Sequence, residues 1–146
     1  MVHQEETHIN KLLVNLFNSV MAAESKAVLT TEFVGISEND MHIIDAIGIS
    51  EPKMTSEIAR KLNVTAGTLT VNMNSLEKKG YIIRTRSEQD KRVVYISLTE
   101  QGKRVYHHHS NFHRKMIRSA ISGLSDDERK MLLGCLIKLD KFFSEF

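Results

Sequence analysis

From Tyr81 to Leu98 the chain abandons the spacing of three and four residues that governs the sequence on either side. Tyr81-Ile82-Ile83-Arg84-Thr85-Arg86 and Val93-Val94-Tyr95-Ile96-Ser97-Leu98 are β-branched and aromatic runs, separated by the charged Ser87-Glu88-Gln89-Asp90-Lys91-Arg92. That pattern predicts a β-hairpin with a basic tip. The helical period before and after it makes the rest of the chain mainly α. Any fold assigned to this chain has to hold one small hairpin between helices.

The helical segments can be placed by their stripes and caps. Ile9, Leu12, Leu13, Leu16, Phe17 and Val20 line one face of a first helix. Met21 to Phe33 is apolar but poorly periodic and reads as helix or loop. Ser37 caps a helix carrying Met41, Ile44 and Ile47, which Gly48 ends. Ile49 to Lys53 holds the single proline, Pro52, and reads as a turn. Thr55 is expected to cap a short helix with Ile58, Ala59 and Leu62 inward and Asn63 as a left-handed stop. Thr65 caps the next helix, which runs to Lys79 with Leu69, Met73 and Leu76 inward and Gly80 left-handed after its last turn. After the hairpin, a helix of about 24 residues from Thr99 places Tyr106, His109, Phe112, His113, Met116, Ile117, Ala120 and Ile121 on one face, and Gly123 stops it. Ser125-Asp126-Asp127-Glu128 is a capping box for a last helix with Leu132, Cys135, Leu136, Leu139, Phe142, Phe143 and Phe146 on a wide apolar face.

With 146 residues, 41% of them hydrophobic, one domain spanning 1–146 is expected. No apolar run reaches the length a bilayer span requires, and the N-terminus lacks the basic-then-apolar order of a secretory signal, so a cytoplasmic protein with no membrane partner is expected. Cys135, the single cysteine, has no intrachain partner and reads as a buried structural thiol. There is no Gly-rich phosphate loop, no nucleophile with an adjacent base and no paired-carboxylate site, which argues against an enzyme and against a bound cofactor.

The net charge of +2 hides an uneven distribution. Residues 1–57 carry three basic and nine acidic side chains, residues 58–92 eight against three, and residues 93–146 nine against six. Positive charge therefore concentrates on the two short helices and the hairpin. Two short helices, a tight turn and a basic hairpin follow the order of a winged helix-turn-helix, here residues 37–98, whose second short helix enters the DNA major groove.

Turning Leu69, Met73 and Leu76 inward leaves Gly67, Thr68, Val71, Asn74, Ser75 and Lys78 outward, with Thr70 on the flank. Val71 suits a thymine methyl and Asn74 a bidentate pair with adenine. No arginine lies between Thr65 and Lys79, which leans the target toward A·T-rich sequence. Thr65, Thr68 and Thr70 suit hydrogen bonds to phosphates at the helix start, although capping and solvation explain them equally well. In the hairpin, Arg84, Arg86, Lys91 and Arg92 supply cations for phosphates or for a narrow minor groove. Asp90 is expected to orient a neighbouring arginine rather than touch DNA.

The six helices and hairpin, the Leu76-Glu77-Lys78-Lys79-Gly80-Tyr81-Ile82 run and the Asp90-Lys91-Arg92 tip resemble the MarR family of dimeric transcription regulators over nearly the whole chain. A narrower resemblance, to the FabT-type repressors of fatty-acid synthesis, rests on several strings. They are Met41-His42 with Ile44-Asp45 and Ile47-Gly48, Val64-Thr65 with Gly67-Thr68 and Thr70, and Arg84 with Arg86-Ser87-Glu88-Gln89-Asp90 and Arg92-Val93-Val94. His109 with Phe112-His113 and Met116 extends it. The resemblance implies that Arg92 is the wing arginine, oriented by Asp90. It also implies a corepressor that is a long acyl chain on acyl carrier protein.

The apolar faces of the terminal helices, residues 1–34 and 99–146, are too wide for one reading head to cover, which predicts a homodimer and a palindromic operator. A ligand would then enter between the reading head and the dimer helices, with Phe17, Val28, Leu29, Phe33, Ile44, His109, Phe112 and Met116 as candidate lining residues; core packing is the alternative for each. The poor periodicity of Met21 to Phe33 suggests a segment folded over that ligand. Basic residues Lys103, Arg104, Arg114, Lys115 and Arg118 offer a surface for an acidic carrier protein. His107, His108, His109 and His113 cluster within two turns, and His109 with His113 at i,i+4 suits the Zn²⁺ site of a zinc-responsive MarR-type regulator, but no cysteine or carboxylate lies near and only His42 or a partner-chain group could complete a tetrahedron, so no metal is expected. A winged-helix adaptor that does not read DNA is the remaining alternative, and the hairpin arginines argue against it.

Overall fold

The computed structural model describes residues 1–29, 32–33 and 35–146; the side chain of Leu29, a candidate lining residue, is outside the described set. The described residues form helices α1 (Val2–Leu29), α2 (Glu38–Ile47), α3 (Thr55–Leu62), α4 (Ala66–Lys78), α5 (Glu100–Ala120) and α6 (Asp126–Ser144). They also form strands β1 (Lys53–Met54), β2 (Ile82–Arg86) and β3 (Val94–Leu98). The mainly helical winged helix-turn-helix expected from the period change is what the chain adopts. Two compact units divide it, Met1–Ser110 and Asn111–Phe146.

In the first unit the core gathers the inward stripes read from the sequence. Met41, Ile44 and Ile47 of α2, Ile58 of α3 and Leu69, Met73 and Leu76 of α4 are buried together with Tyr81, Ile82 and Ile96 of the hairpin and Val105 of α5. Local caps fix the helix starts. Ser37 and Asp40 form a capping box on α2, Thr65 Oγ1 accepts from the Thr68 amide at the start of α4, and Asn63 takes φ +53° after α3.

The sheet is larger than the hairpin alone. β1 pairs with β3 through Lys53 opposite Ile96 and Met54 opposite Tyr95, giving the antiparallel order β1-β3-β2. The turn expected at Ile49 to Lys53 therefore ends in a strand, and this displaces the cap expected at Thr55. With Met54 extended for pairing, the helix begins at Thr55 itself, and Met54 is an N-cap with no side-chain hydrogen bond. The stretch from Met21 to Leu29 is likewise not loose. It continues α1 without a break, so its weak periodicity is that of a long helix and no longer argues for a segment folded over a ligand.

The turn from α4 into the sheet is fixed by hydrogen bonds to successive carbonyls. Gly80 takes φ +84°, the Tyr81 amide donates to Leu76 O at 3.0 Å, and the Thr99 amide donates to Tyr81 O at 3.1 Å. The Thr99 hydroxyl donates to Gly80 O at 2.6 Å and accepts from the Gly102 amide at 3.1 Å. A Cβ at Gly102 would collide with the Tyr81 carbonyl, so α5 can approach the strand only where it has no side chain.

The second unit contains the end of α5 and all of α6, which opens on the Ser125 and Glu128 capping box. No side chain of α6 is buried, and Met131, Leu133, Ile137, Phe142 and Phe143 are more than half exposed. Cys135 is exposed as well, contrary to the buried thiol expected, because the apolar face that carries it is uncovered within the chain. No helix among the described residues is long and apolar enough to cross a membrane.

Alanine normally stabilises a helix interior relative to glycine by about 1 kcal/mol. Gly102→Ala should do the opposite, lowering stability by about 1–3 kcal/mol through forced displacement of the Tyr81 corner, and chemical denaturation of the two proteins checks this.

Candidate nucleic-acid interface

The outer face of α4 is as the stripe predicts. Thr65, Gly67, Thr68, Thr70, Asn74 and Lys78 are exposed, Val71 is 69% exposed, and Ser75 is half-buried. The threonines are partly occupied within the chain. Thr65 donates to Thr68 Oγ1 at 2.9 Å, and Thr70 donates to Ala66 O at 2.8 Å, a back-bond within the helix. Val71 and Asn74, three residues apart, share one exposed strip of the helix surface.

The wing tip is built around two short polar side chains. The Ser87 hydroxyl accepts from the amides of Gln89 and Asp90 at 3.2 and 3.4 Å, and the Val93 amide closes a turn onto Asp90 O at 2.9 Å. Asp90 then receives Arg92 three times, from its amide at 3.0 Å, from Nε at 3.2 Å and from Nη2 at 3.4 Å. The Arg92 side chain remains 91% exposed. The hydrogen bonds from Arg92 hold the Asp90 carboxyl below its ordinary range. Asp90 is therefore an orienting anion for an outward-facing arginine, as its place in a basic loop suggested. Arg86 and Lys91 are exposed beside it.

Arg84 is placed differently. Its Nε and Nη2 form a fork on Glu77 at 3.1 and 2.9 Å, tying the last turn of α4 to β2, and its side chain is largely covered. Hydrogen bonding to Arg84 lowers the Glu77 carboxyl, and the same bond raises Arg84. The fork braces the reading helix against the wing instead of projecting a free cation. Lys79 ties the same helix end to the loop before α2, donating to Gly35 O at 2.7 Å and to the buried Asp40 carboxylate at 3.1 Å. Neither tie had a local signal, since Glu77 with Arg84 and Lys79 with Asp40 are partners made by the fold.

The candidate ligand residues do not assemble so simply. Ile44 is fully buried in the core of the first unit, Phe33 and His109 are buried, Val28 is half-buried and Phe17 is 65% exposed. Phe112 and Met116, half-buried, belong to the second unit. A cavity of about 370 Å³ beside Phe33 is lined by Glu32, Lys79, Tyr81, Gln101 and Arg104, a mostly polar wall. Lys103 and Arg104 are engaged with Glu100 and Glu32 at 3.0 and 3.6 Å, whereas Arg114, Lys115 and Arg118 are exposed. The expectation that no carboxylate stands near the histidines is overturned. Glu24 of α1 is buried with Oε2 3.3 Å from His42 Nε2, and the His42 and His109 rings lie 6.1 Å apart. Position 24 lies far from the histidines in sequence, so only folding of α1 against α2 brings it there.

The two ion pairs fix the sign of a pH effect. Both carboxyls are lowered in the folded chain, so their contribution is present above their ordinary pKa and is lost as pH falls through the folded value. NMR titration should find the Asp90 and Glu77 midpoints below the ordinary range, and Arg92→Gln should return only the Asp90 midpoint to it.

The MarR family model matches residues 36–94, from the residues before α2 to the start of β3. FabT of Streptococcus pneumoniae, solved in complex with DNA, is 38% identical, covers 96% of this chain and 98% of its own, and superposes with a TM-score of 0.91. SarZ of Staphylococcus epidermidis, an HTH-type transcriptional regulator, is 34% identical over 107 residues, 70% of each protein. YpoP of Bacillus subtilis, also an HTH-type regulator, is 28% identical over 97% of this chain and 94% of its own. The chain belongs to the MarR family of winged helix-turn-helix proteins, DNA-binding transcription regulators rather than enzymes.

Proposed function

We propose that this protein is a homodimeric repressor of fatty-acid synthesis genes that binds an A·T-rich palindromic operator, with a long acyl chain on acyl carrier protein as corepressor. The observation that carries the reading is the 38% identity to FabT over nearly both whole chains, joined to a wing arginine held outward by Asp90. In this reading residues 37–98 form the reading head, and residues 1–34 and 99–146 pair with the second subunit within one domain. Dimer formation is supported by the exposed apolar rows of α1, with Leu12, Leu16 and Phe17, and of α6. MarR proteins dimerise.

Base reading falls to Val71 and Asn74, apolar contact with a thymine methyl and a bidentate pair with adenine. Thr65, Gly67, Thr68, Thr70, Ser75 and Lys78 position α4 on the backbone, and Arg86, Lys91 and Arg92 meet phosphates or the minor groove. Arg84 and Asp90 hold the wing in place for them. For the corepressor, Arg114, Lys115 and Arg118 recur within one turn of α5 and present positive charge to an acidic carrier. Val28 and Phe33 supply apolar surface toward the acyl chain.

A corepressor acts only through tighter binding to the DNA-competent state. Operator titrations on the region upstream of fatty-acid synthesis genes should therefore show higher affinity with long-chain acyl carrier protein than with the unacylated carrier. The gain should grow with chain length, at up to about 0.8 kcal/mol per buried CH₂. Equal affinity with every carrier would remove the acyl reading and leave the DNA-binding assignment intact.

A further inference from the structure

The wing sheet has two faces, and the core uses one of them. Ile82, Ile96 and Leu98 are buried against the helices, and Arg84 on the same face reaches Glu77 of α4. The register sets Ile83 opposite Ser97 and Thr85 opposite Tyr95, with Met54 of β1 on the other side of Tyr95, so these side chains share the outer face. Glu51, Pro52, Thr85, Tyr95 and Ser97 line a cavity of about 330 Å³ there, the size of a pocket for a small molecule. Short hydroxyls elsewhere in this unit are engaged within the chain: Ser37 accepts from the Asp40 amide, Ser87 from the amides of Gln89 and Asp90, and Thr99 donates to Gly80 O. By contrast, the side chains of Glu51, Thr85, Tyr95 and Ser97 make no hydrogen bond or ion pair with another described residue. The cavity therefore offers three hydroxyls and one carboxylate to a ligand, beside an aromatic ring and a proline ring.

We propose that this cavity binds a small arylalkylamine, with its ammonium on the Glu51 carboxylate and its apolar body over the Tyr95 and Pro52 rings. Glu51 is the only charged residue in the lining, so the cavity selects a cation and rejects an anion. The Tyr95 ring adds attraction for an ammonium held near its face, and the hydroxyls of Thr85 and Ser97 can accept the remaining N–H bonds. The wing cations do not compete for Glu51, because Arg84 and Arg86 alternate onto the other face of β2 and Lys91 and Arg92 lie at the tip. A ligand here would contact the strands that carry those cations and leave the cations themselves uncovered. The site is independent of the acyl reading and stands or falls separately from it.

The test is a titration of the full-length protein followed by amide NMR, with 2-phenylethylamine as the cation and 3-phenylpropanoate as an anion of similar size. The amine should shift the amide signals of Thr85, Tyr95 and Ser97 along a saturating curve, and the propanoate should leave them in place. Glu51→Gln and Tyr95→Leu should each weaken amine binding by roughly fivefold, the loss of one exposed ion pair or one cation–π contact. Glu88→Gln, which removes an exposed acid of the wing tip outside the cavity, should leave the affinity unchanged. Circular dichroism establishes that each variant is folded, and if Tyr95→Leu is not, Glu51→Gln carries the comparison. Shifts that do not saturate, an equal response to the propanoate, or wild-type amine affinity in Glu51→Gln would overturn the site.

Discussion

The corner at Gly80 and Tyr81 is the constraint on which the reading geometry depends. Only a residue that takes φ +84° without strain lets the chain turn from α4 into β2 within the three residues between them, and Gly80 supplies it. Tyr81 then anchors both sides, with its amide on Leu76 of the reading helix and its carbonyl on Thr99 at the start of α5. The missing side chain of Gly102 lets α5 lie against that carbonyl. Helix, wing and the first turns of α5 thus share one hydrogen-bonded junction. Shifting it moves the outward face of α4 relative to Arg92, the two surfaces that the proposed reading sets against one duplex.

Positive charge in this region is sorted by partner. Lys79, Arg84 and Arg92 each face an acid, but only Arg92 keeps its guanidinium in water. The first two pairs hold the end of α4 to its surroundings, at the first turn of α2 and at β2. The third fixes the direction of a cation that remains available to a phosphate. Exposed pairs of this kind add little to stability, so in the proposed DNA-binding role the benefit of Asp90 lies in pre-ordering Arg92. The exposed Lys78, Arg86 and Lys91 complete the surface whose field was visible as the basic middle of the chain.

Much of this was legible from sequence because the signals are local. Ser37, Thr65 and Ser125 cap the helices they were expected to cap, Asn63 and Gly80 take positive φ, and the inward stripe of α4 is the buried one. Several of the misses share one cause, a partner distant in sequence. β1 exists only because Lys53 and Met54 find β3, and that pairing moved the helix start to Thr55. Nothing local to Gly102 signals the Tyr81 carbonyl that lies beneath it. Arg84 reads as a free wing cation until Glu77 reaches it, and the histidines seemed to lack acids until Glu24 of α1 came beside His42.

The division of labour between Arg92 and Asn74 is the most exposed part of the account. Fluorescence anisotropy with an A·T-rich palindromic duplex and with a mismatched duplex, at several salt concentrations, separates the two roles. Arg92→Ala should weaken binding to both duplexes and reduce the salt slope by about 1, whereas Asn74→Ala should leave the slope alone and cost about 1–3 kcal/mol on the palindrome only. Wild-type affinity and slope in both variants would contradict the assignment of α4 and the wing as the DNA-reading surface.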